Sequence, residues 1–413
     1  MKNNYKKITA CRVCGNQHLE LVLDLGMQYL TGIFPASKDL NIPQGPLQLA
    51  LCKQCGLVQL LHSFEPSLMY GDNYGYRSGL NQSMVSHLTR KIHYLEKLCN
   101  LKDGSVVVDI GSNDCTSLKA YQTLNLIKIG IDPTGRKFEK YYPENVLLIP
   151  DFFSSQAFES VSKNKASIVT SLAMFYDLES PVQFAQEIES ILCDDGVWHF
   201  EQSYLPLMLK ANSYDTICHE HLEYYSLSTI KYILNKAKLK LIDVQVNDIN
   251  GGSFAVSAAK ENNSSLEVNH VVIDWYLNQE LVNNINQRST YDQFANRVKQ
   301  EKNKLIDLIR RLNAADRTIF VYGASTKGNV TLQYCELTSA DIRAAVEVNS
   351  EKFGCFTPGS NIPIISESDA KSMKIDYYLV LPWHFKNEIL NRERNFINGG
   401  GRFIFPFPEL EII

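Results

Sequence analysis

An α/β chain of three parts is predicted from three observations. Two C-x2-C knuckles stand in the first 60 residues, at CRVCG (11–15) and CKQCG (52–56). A run of short apolar strands alternates with glycine loops and helical segments from about residue 104 to residue 260. A second strand–glycine–helix unit opens at TIFVYGASTKGNVTLQYC (318–335). The expected fold is therefore a small metal-binding N-terminal domain (1–70), a central Rossmann-like domain (71–265) and a C-terminal Rossmann-like α/β domain (266–413). A chain of 413 residues exceeds one ordinary core, which agrees with this division. Hydrophobic residues make up 45%, and 41 basic residues face 45 acidic ones, for a net charge of -4. That balance gives no electrostatic attraction for nucleic acid or anionic lipid. No apolar run reaches the length of a membrane span, and the N-terminus shows no signal-peptide core. The ten cysteines read as thiols of a reducing cytoplasm rather than a disulfide framework.

The knuckles come first in the chain. Cys11 and Cys14 are separated from Cys52 and Cys55 by 37 residues, positions 15 to 51. Each C-x2-C turn presents two thiolates to one ion, and the glycine after each pair permits the tight backbone. Four thiolates fill a tetrahedral zinc and leave no position for substrate, so the site is structural. Between the knuckles, LDLGMQYLTGIFP is expected to be a loop able to reach over a neighbouring site.

In the central domain GSVVVDIGSND (104–114) reads as a buried strand followed by a glycine loop. A second strand, LIKIGIDPT, ends in Asp132, 21 positions after Gly111. An acid there can accept hydrogen bonds from ribose hydroxyls. The loop Gly111-Ser112-Asn113-Asp114-Cys115 lacks the second glycine that a dinucleotide pyrophosphate requires. A ligand with ribose and no phosphate has no such need, and S-adenosylmethionine (SAM) is that ligand. Strands follow at ENVLLIP, SIVTSL and GVWHFEQSYL, then a helix SLSTIKYILNKAKL and strands KLIDVQV and GGSFAVSAA. Asp151 and the stretch DTICHEHLEYYS (215–226) fall after strands, at the carboxyl edge where open sheets bind ligands. That stretch admits a metal site, a proton-transfer site or a polar loop. Metal binding fits poorly, because H-E-H does not put two ligands on one helical face as H-E-x-x-H does. Residues 275–313 are polar and helical in pattern, and connect to the last unit. Its turn Gly323-Ala324-Ser325-Thr326-Lys327-Gly328 offers backbone N–H groups, hydroxyls and an ammonium at a helix start, which suits a phosphate. Trp383 and His384 sit at a later strand end.

The order of paired knuckles, YGYRSGLN (74–81), VDIGSND, DTICHEHLEYYS and YGASTKG resembles the sugar C-methyltransferases that act on nucleotide-linked 4-keto-deoxy sugars. The likeness spans nearly the whole chain. It implies methylation of a ring carbon, commonly C3, beside the C4 ketone of a 4-keto-6-deoxyhexose linked to dTDP or GDP. By the resemblance, His221 is the base that removes the alpha proton, with Glu220 and His219 beside it. Tyr74 and Tyr76 then donate to the developing oxyanion. SAM is held by Gly111, Ser112, Asn113 and Asp132, with Asp151 near the adenine. Tyr224, Ser325, Thr326, Lys327 and Trp383 hold the nucleotide sugar, and the protein is a monomer or weak dimer. Three positions depart from the pattern: Cys218 replaces a tyrosine, Met174 a histidine and Cys115 a glycine. The rival readings are a sugar O-methyltransferase, a zinc-ribbon binding protein, and a dinucleotide-dependent oxidoreductase.

Overall fold

The computed structural model of the chain describes residues 4–69 and 76–413. Tyr74 lies outside the described residues. The N-terminal strands are β1 (Tyr5–Lys7), β2 (Leu19–Tyr29), β3 (Gln44–Cys52), β4 (Val58–Leu60) and β5 (His62–Phe64). The central strands are β6 (Val106–Ile110), β7 (Ile127–Ile131), β8 (Val146–Ile149), β9 (Ala166–Leu172) and β10 (Leu192–Ser203). After these come β11 (Glu223–Tyr224), β12 (Leu239–Asn247) and β13 (Ser253–Lys260). The C-terminal strands are β14 (Ile319–Tyr322), β15 (Ala345–Glu347), β16 (Ile364–Ser366), β17 (Tyr377–Val380), β18 (Arg402–Phe405) and β19 (Glu411–Ile412).

The central sheet has the order β12-β13-β10-β9-β6-β7-β8. Strands β6 to β10 pair in parallel, and β13 is antiparallel to both its neighbours. All five residues of β6 are buried, as expected for a parallel strand covered on both faces. Its polar member, Asp109, accepts a hydrogen bond from Thr170 Oγ1 at 2.6 Å, and burial pushes its carboxyl up to about 7. The C-terminal sheet, β16-β15-β14-β17-β18-β19, is parallel except for β19. Between the two sheets run the helices His270–Val282 and Arg288–Ala314, where the polar periodic stretch predicts them.

Two features differ from the sequence reading. Much of LDLGMQYLTGIFP is strand, because β2 continues to Tyr29; only its end, from Leu30, is loop. The HEH stretch is also not confined to the central unit: β11 closes the N-terminal sheet, in the order β11-β4-β3-β2. Of the remaining thiols, Cys193 and Cys355 are half-exposed, while Cys99 and Cys335 are buried.

The knuckles pack on the central unit. Cys11, Val13, Cys52 and Leu57 share one buried cluster with Tyr225, Leu227, Ile230 and Ile233. The last three belong to the helix Leu227–Lys236, which begins at a Ser226 cap accepting from Thr229 N. Each of its fully buried aliphatic side chains contributes about 1.5–3 kcal/mol of burial. Among the described residues, no helix is long and apolar enough to cross a membrane.

Candidate active site

The HEH loop is anchored from both ends. Glu223 and Tyr224 pair with Gln59 and Val58, and the Leu222 backbone exchanges bonds with Leu60 N and Tyr176 O, both at 2.8 Å. A turn bonded from His221 N to Cys218 O (3.1 Å) then fixes the preceding residues. His221 Nδ1 lies 2.8 Å from the Thr216 carbonyl oxygen. A carbonyl only accepts, so Nδ1 carries the proton and donates. Nε2 is left with its lone pair, the form a general base needs. The Tyr176 ring lies against the imidazole, with centroids 4.2 Å apart. Burial drives the His221 pKa down to about 3, and the Lys327 ammonium adds to the effect.

His219 does not join this cluster. It is 1% exposed, its Nε2 lies 3.2 Å from the Gly45 carbonyl, and its ring meets Phe64 edge-on at 4.8 Å. In this irregular loop, residues 219 and 221 face different surroundings, so His219 serves packing against the N-terminal sheet. Glu220 faces the loop after β2. It accepts from Thr31 Oγ1 at 3.4 Å, and a Cβ on Gly32 would stand 2.8 Å from its Oε1. Burial raises the Glu220 pKa. The loop from Leu30 therefore does reach the site, and Thr31 O is held in turn by Asn329 Nδ2 at 2.8 Å.

The third wall is C-terminal. Trp383 Nε1 donates to the buried Asp215 Oδ2 at 2.8 Å, and burial raises Asp215 to about 6. Lys327 Nζ donates to the Asn250 carbonyl at 3.1 Å, and burial lowers its pKa. Ser325 spends its hydroxyl on its own helix, accepting from Gly328 N at 3.0 Å. Thr326 opens that helix beside it. Tyr224 is buried, with its hydroxyl 3.4 Å from the same Thr216 carbonyl that His221 uses.

The glycine loop after β6 lies next door. Gly111 has φ +75°, and a Cβ there would press on Met174 Cγ at 3.1 Å. Met174 is two residues from Tyr176, so one short segment links the loop to His221. Asn113 N donates to Asp132 Oδ2 (2.8 Å), while Thr134 N and Oγ1 both donate to Oδ1 at 2.6 Å. Of about four acceptor sites on a carboxylate, three are filled, leaving capacity for one hydroxyl. Ser112 Oγ bonds Tyr142 at 2.7 Å. The segment from Tyr76 lies over the loop: Ser78 N donates to Asn113 Oδ1 and Gly79 N to Asp114 Oδ2, both at 3.0 Å. Tyr76 itself meets Asn113 Nδ2 through its backbone carbonyl at 3.1 Å, and its ring is exposed. Asp151 is exposed at the end of β8 beside Phe152, an exposed ring that sequence reasoning passed over.

At the knuckles the four Sγ atoms lie within 4.8 Å of one another, with Cys11–Cys55 at 3.6 Å and Cys14–Cys52 at 3.4 Å. Ligands at a zinc–sulfur distance of about 2.3 Å stand roughly 3.8 Å apart in a tetrahedron, so the donor set fits zinc.

The C-methyltransferase NovU of Streptomyces niveus is 31% identical over 417 residues, covering 100% of this chain and 99% of that one. The chain belongs to the C-methyltransferase family. A family model described as "C-methyltransferase C-terminal domain" matches residues 248–408, and one described as "Putative zinc binding domain" matches 11–70. Among solved structures, an S-adenosylmethionine-dependent methyltransferase from Clostridium acetobutylicum aligns at 10% identity and TM-score 0.33, over 43% of this chain and 92% of that one. A Haloferax volcanii complex of the Trm112 activator with a methyltransferase aligns at 14% and 0.36, over 44% and 94%.

The methyltransferase is SAM-dependent, and its zinc-binding domain brings Cys11, Cys14, Cys52 and Cys55 together as the donor set that would hold the ion. The residues present fit SAM: a positive-φ glycine at the end of β6, an acid with one acceptor site left after β7, and an exposed acid and ring after β8.

Several residues of the site gave no signal in sequence. Asp215 and His384 carried a weak one, since both stand where a strand or its following turn meets the ligand edge. Thr31 and Gly32 carried none, because their role depends on docking across domains. In the central unit, Glu201 Oε1 lies 2.5 Å from His87 Nε2 in a buried contact, and Lys91 Nζ lies 3.1 Å from its Oε2.

Proposed function

We propose that this C-methyltransferase acts on a nucleotide-linked 4-keto-6-deoxyhexose, removing the proton alpha to the C4 ketone and methylating that carbon, C3. The observation that carries the reading is the His221 tautomer: Nδ1 is fixed to Thr216 O, and Nε2 keeps a lone pair within the same short segment contacts as the SAM loop. Carbon alpha to a ketone becomes a nucleophile only after its proton is lost, so this reaction requires a base. Burial keeps the imidazole neutral at physiological pH. Negative charge that gathers on the ketone oxygen offsets the penalty of forming imidazolium there. Glu220, held by Thr31, borders the base, and the segment from Tyr76 covers the glycine loop. Bound SAM supplies an electrophilic methyl group.

The domains are read as zinc-binding (1–70), methyltransferase (71–265) and sugar-nucleotide-binding (266–413), with Trp383, Tyr224, Ser325 and Thr326 on the acceptor side. The free thiols and thiolate zinc site suit the cytoplasm. His221→Asn tests the reading. It should keep SAM affinity and fold while turnover falls about 10²–10⁴-fold, the usual range for a general base. A turnover near that of the parent would remove His221 from the role.

A further inference from the structure

Lys327 stands on the first turn of the helix Thr326–Tyr334, yet its ammonium is held by the central domain, through the Asn250 carbonyl at 3.1 Å. That carbonyl is fixed in place: the adjoining Gly251 lies against the Trp383 ring, where a Cβ would come within 2.8 Å. Asp215 and Cys218 of the HEH loop act electrostatically on Lys327, and Lys327 in turn acts on His221 and on His384 after β17. Asp215 bonds Trp383 through Oδ2, but its Oδ1 is buried without a partner, and so is His384 Nδ1. Buried polar atoms without partners are few in folded proteins and mark places where a ligand or water completes the bonding. Asp215 Oδ1 and His384 Nδ1 thus stand on either side of Trp383, whose ring packs on Gly251 beside the carbonyl that holds the Lys327 ammonium, and that ammonium has two further N–H groups to donate.

A diphosphate is a poor occupant. Asp215 would repel it, and the Ser325 hydroxyl already occupies the Gly328 N–H of the helix start. A neutral carbonyl that gains charge during reaction is a good one, since a preorganised donor aimed at developing charge favours the transition state over the ground state.

We propose that Lys327 is a catalytic residue whose ammonium donates to the oxygen of the acceptor ketone as the enolate forms, with Asp215 as its counter-charge. This deepens the function proposed above and rests on it. The alpha C–H bond breaks and its proton goes to His221 Nε2. The C–H electron pair becomes the C=C bond, and the carbonyl π pair moves to oxygen, where the Lys327 N–H receives it. Nothing is oxidised or reduced, and no further reactant is needed.

The test is deuterium incorporation at the alpha carbon in D2O, with S-adenosylhomocysteine in place of SAM, on a 4-keto-6-deoxy nucleotide sugar. Lys327→Met should slow exchange about 10²–10³-fold, as loss of one oxyanion donor does, with nucleotide-sugar and S-adenosylhomocysteine affinities within about 3-fold. Lys327→Arg keeps a cation and should exchange at least about 10-fold faster than Lys327→Met. Asp215→Asn should move the alkaline limb of the exchange profile to lower pH, because the counter-charge that holds the proton on Lys327 is gone. Unchanged exchange in Lys327→Met, or a loss confined to substrate affinity, overturns the proposal. So does an alkaline limb that stays in place in Asp215→Asn. Absence of both exchange and methylation in the parent enzyme instead overturns the proposed function, and this role with it.

Discussion

Gly32→Ala separates activity from stability at one atom. The Gly32 backbone lies outside the left-handed region, so alanine adds no backbone strain. Its Cβ would stand 2.8 Å from Glu220 Oε1, whereas ordinary contact begins at 3.4 Å. The carboxylate must therefore move by about 0.6 Å, the difference of those distances. Glu220 is the end of a flexible side chain, so the shift costs little stability, within about 1 kcal/mol. Catalytic groups tolerate about 0.5 Å of error, and a misplacement near 1 Å costs on the order of 10²-fold. The expected result is a fall in kcat of roughly 10- to 10²-fold, with the melting temperature and SAM affinity nearly unchanged. Steady-state kinetics beside a thermal melt decides it. A variant with the parent's kcat would refute the placement of Glu220 at the reacting centre and, with it, the part given to the N-terminal loop.

Three further outcomes follow from the geometry. Removing zinc with a chelator should lower kcat about 10-fold or more before SAM affinity changes. The reason is that β11, two residues from His221, pairs with β4 beside the second knuckle, and buried Arg12 lies 3.7 Å from Glu223; kcat and SAM calorimetry against chelator concentration measure it. Trp383→Phe removes the donor to Asp215 Oδ2 and should cost about 1.5–3 kcal/mol in denaturant unfolding, the range for a bond to a charged group. His221 has a folded-state pKa near 3, below its unfolded 6.5, so the unfolded chain takes up its proton first as pH falls. Its contribution is fully present above pH 6.5 and is lost as pH falls from 6.5 toward about 3. Melting temperatures of His221→Asn should therefore depend less on pH over that window than those of the parent.

What sequence could reveal depended on whether a feature was local. The four cysteines announce themselves by spacing, and Val106–Ile110 by an apolar run too short and β-branched for a helix. His221 stood out through the density of titratable residues around it. That density could not say how the two histidines are turned, because His219 meets Gly45 and Phe64, up to 174 residues away, while His221 bonds Thr216. Lys327 was visible as part of a phosphate-like turn. That its ammonium bonds the Asn250 carbonyl, in another unit, could not be read locally. The pairing of β11 with β4 was illegible for the same reason: a two-residue strand has no period to read.

The most direct test of the account is NMR of the product formed from SAM carrying a 13C-labelled methyl group and a panel of dTDP- and GDP-linked 4-keto-6-deoxyhexoses. The expected product carries the label as a carbon-bound methyl on C3, beside the ketone. A label resonating as an O-methyl ether, or no transfer to any 4-keto sugar alongside transfer to one without a ketone, would contradict it.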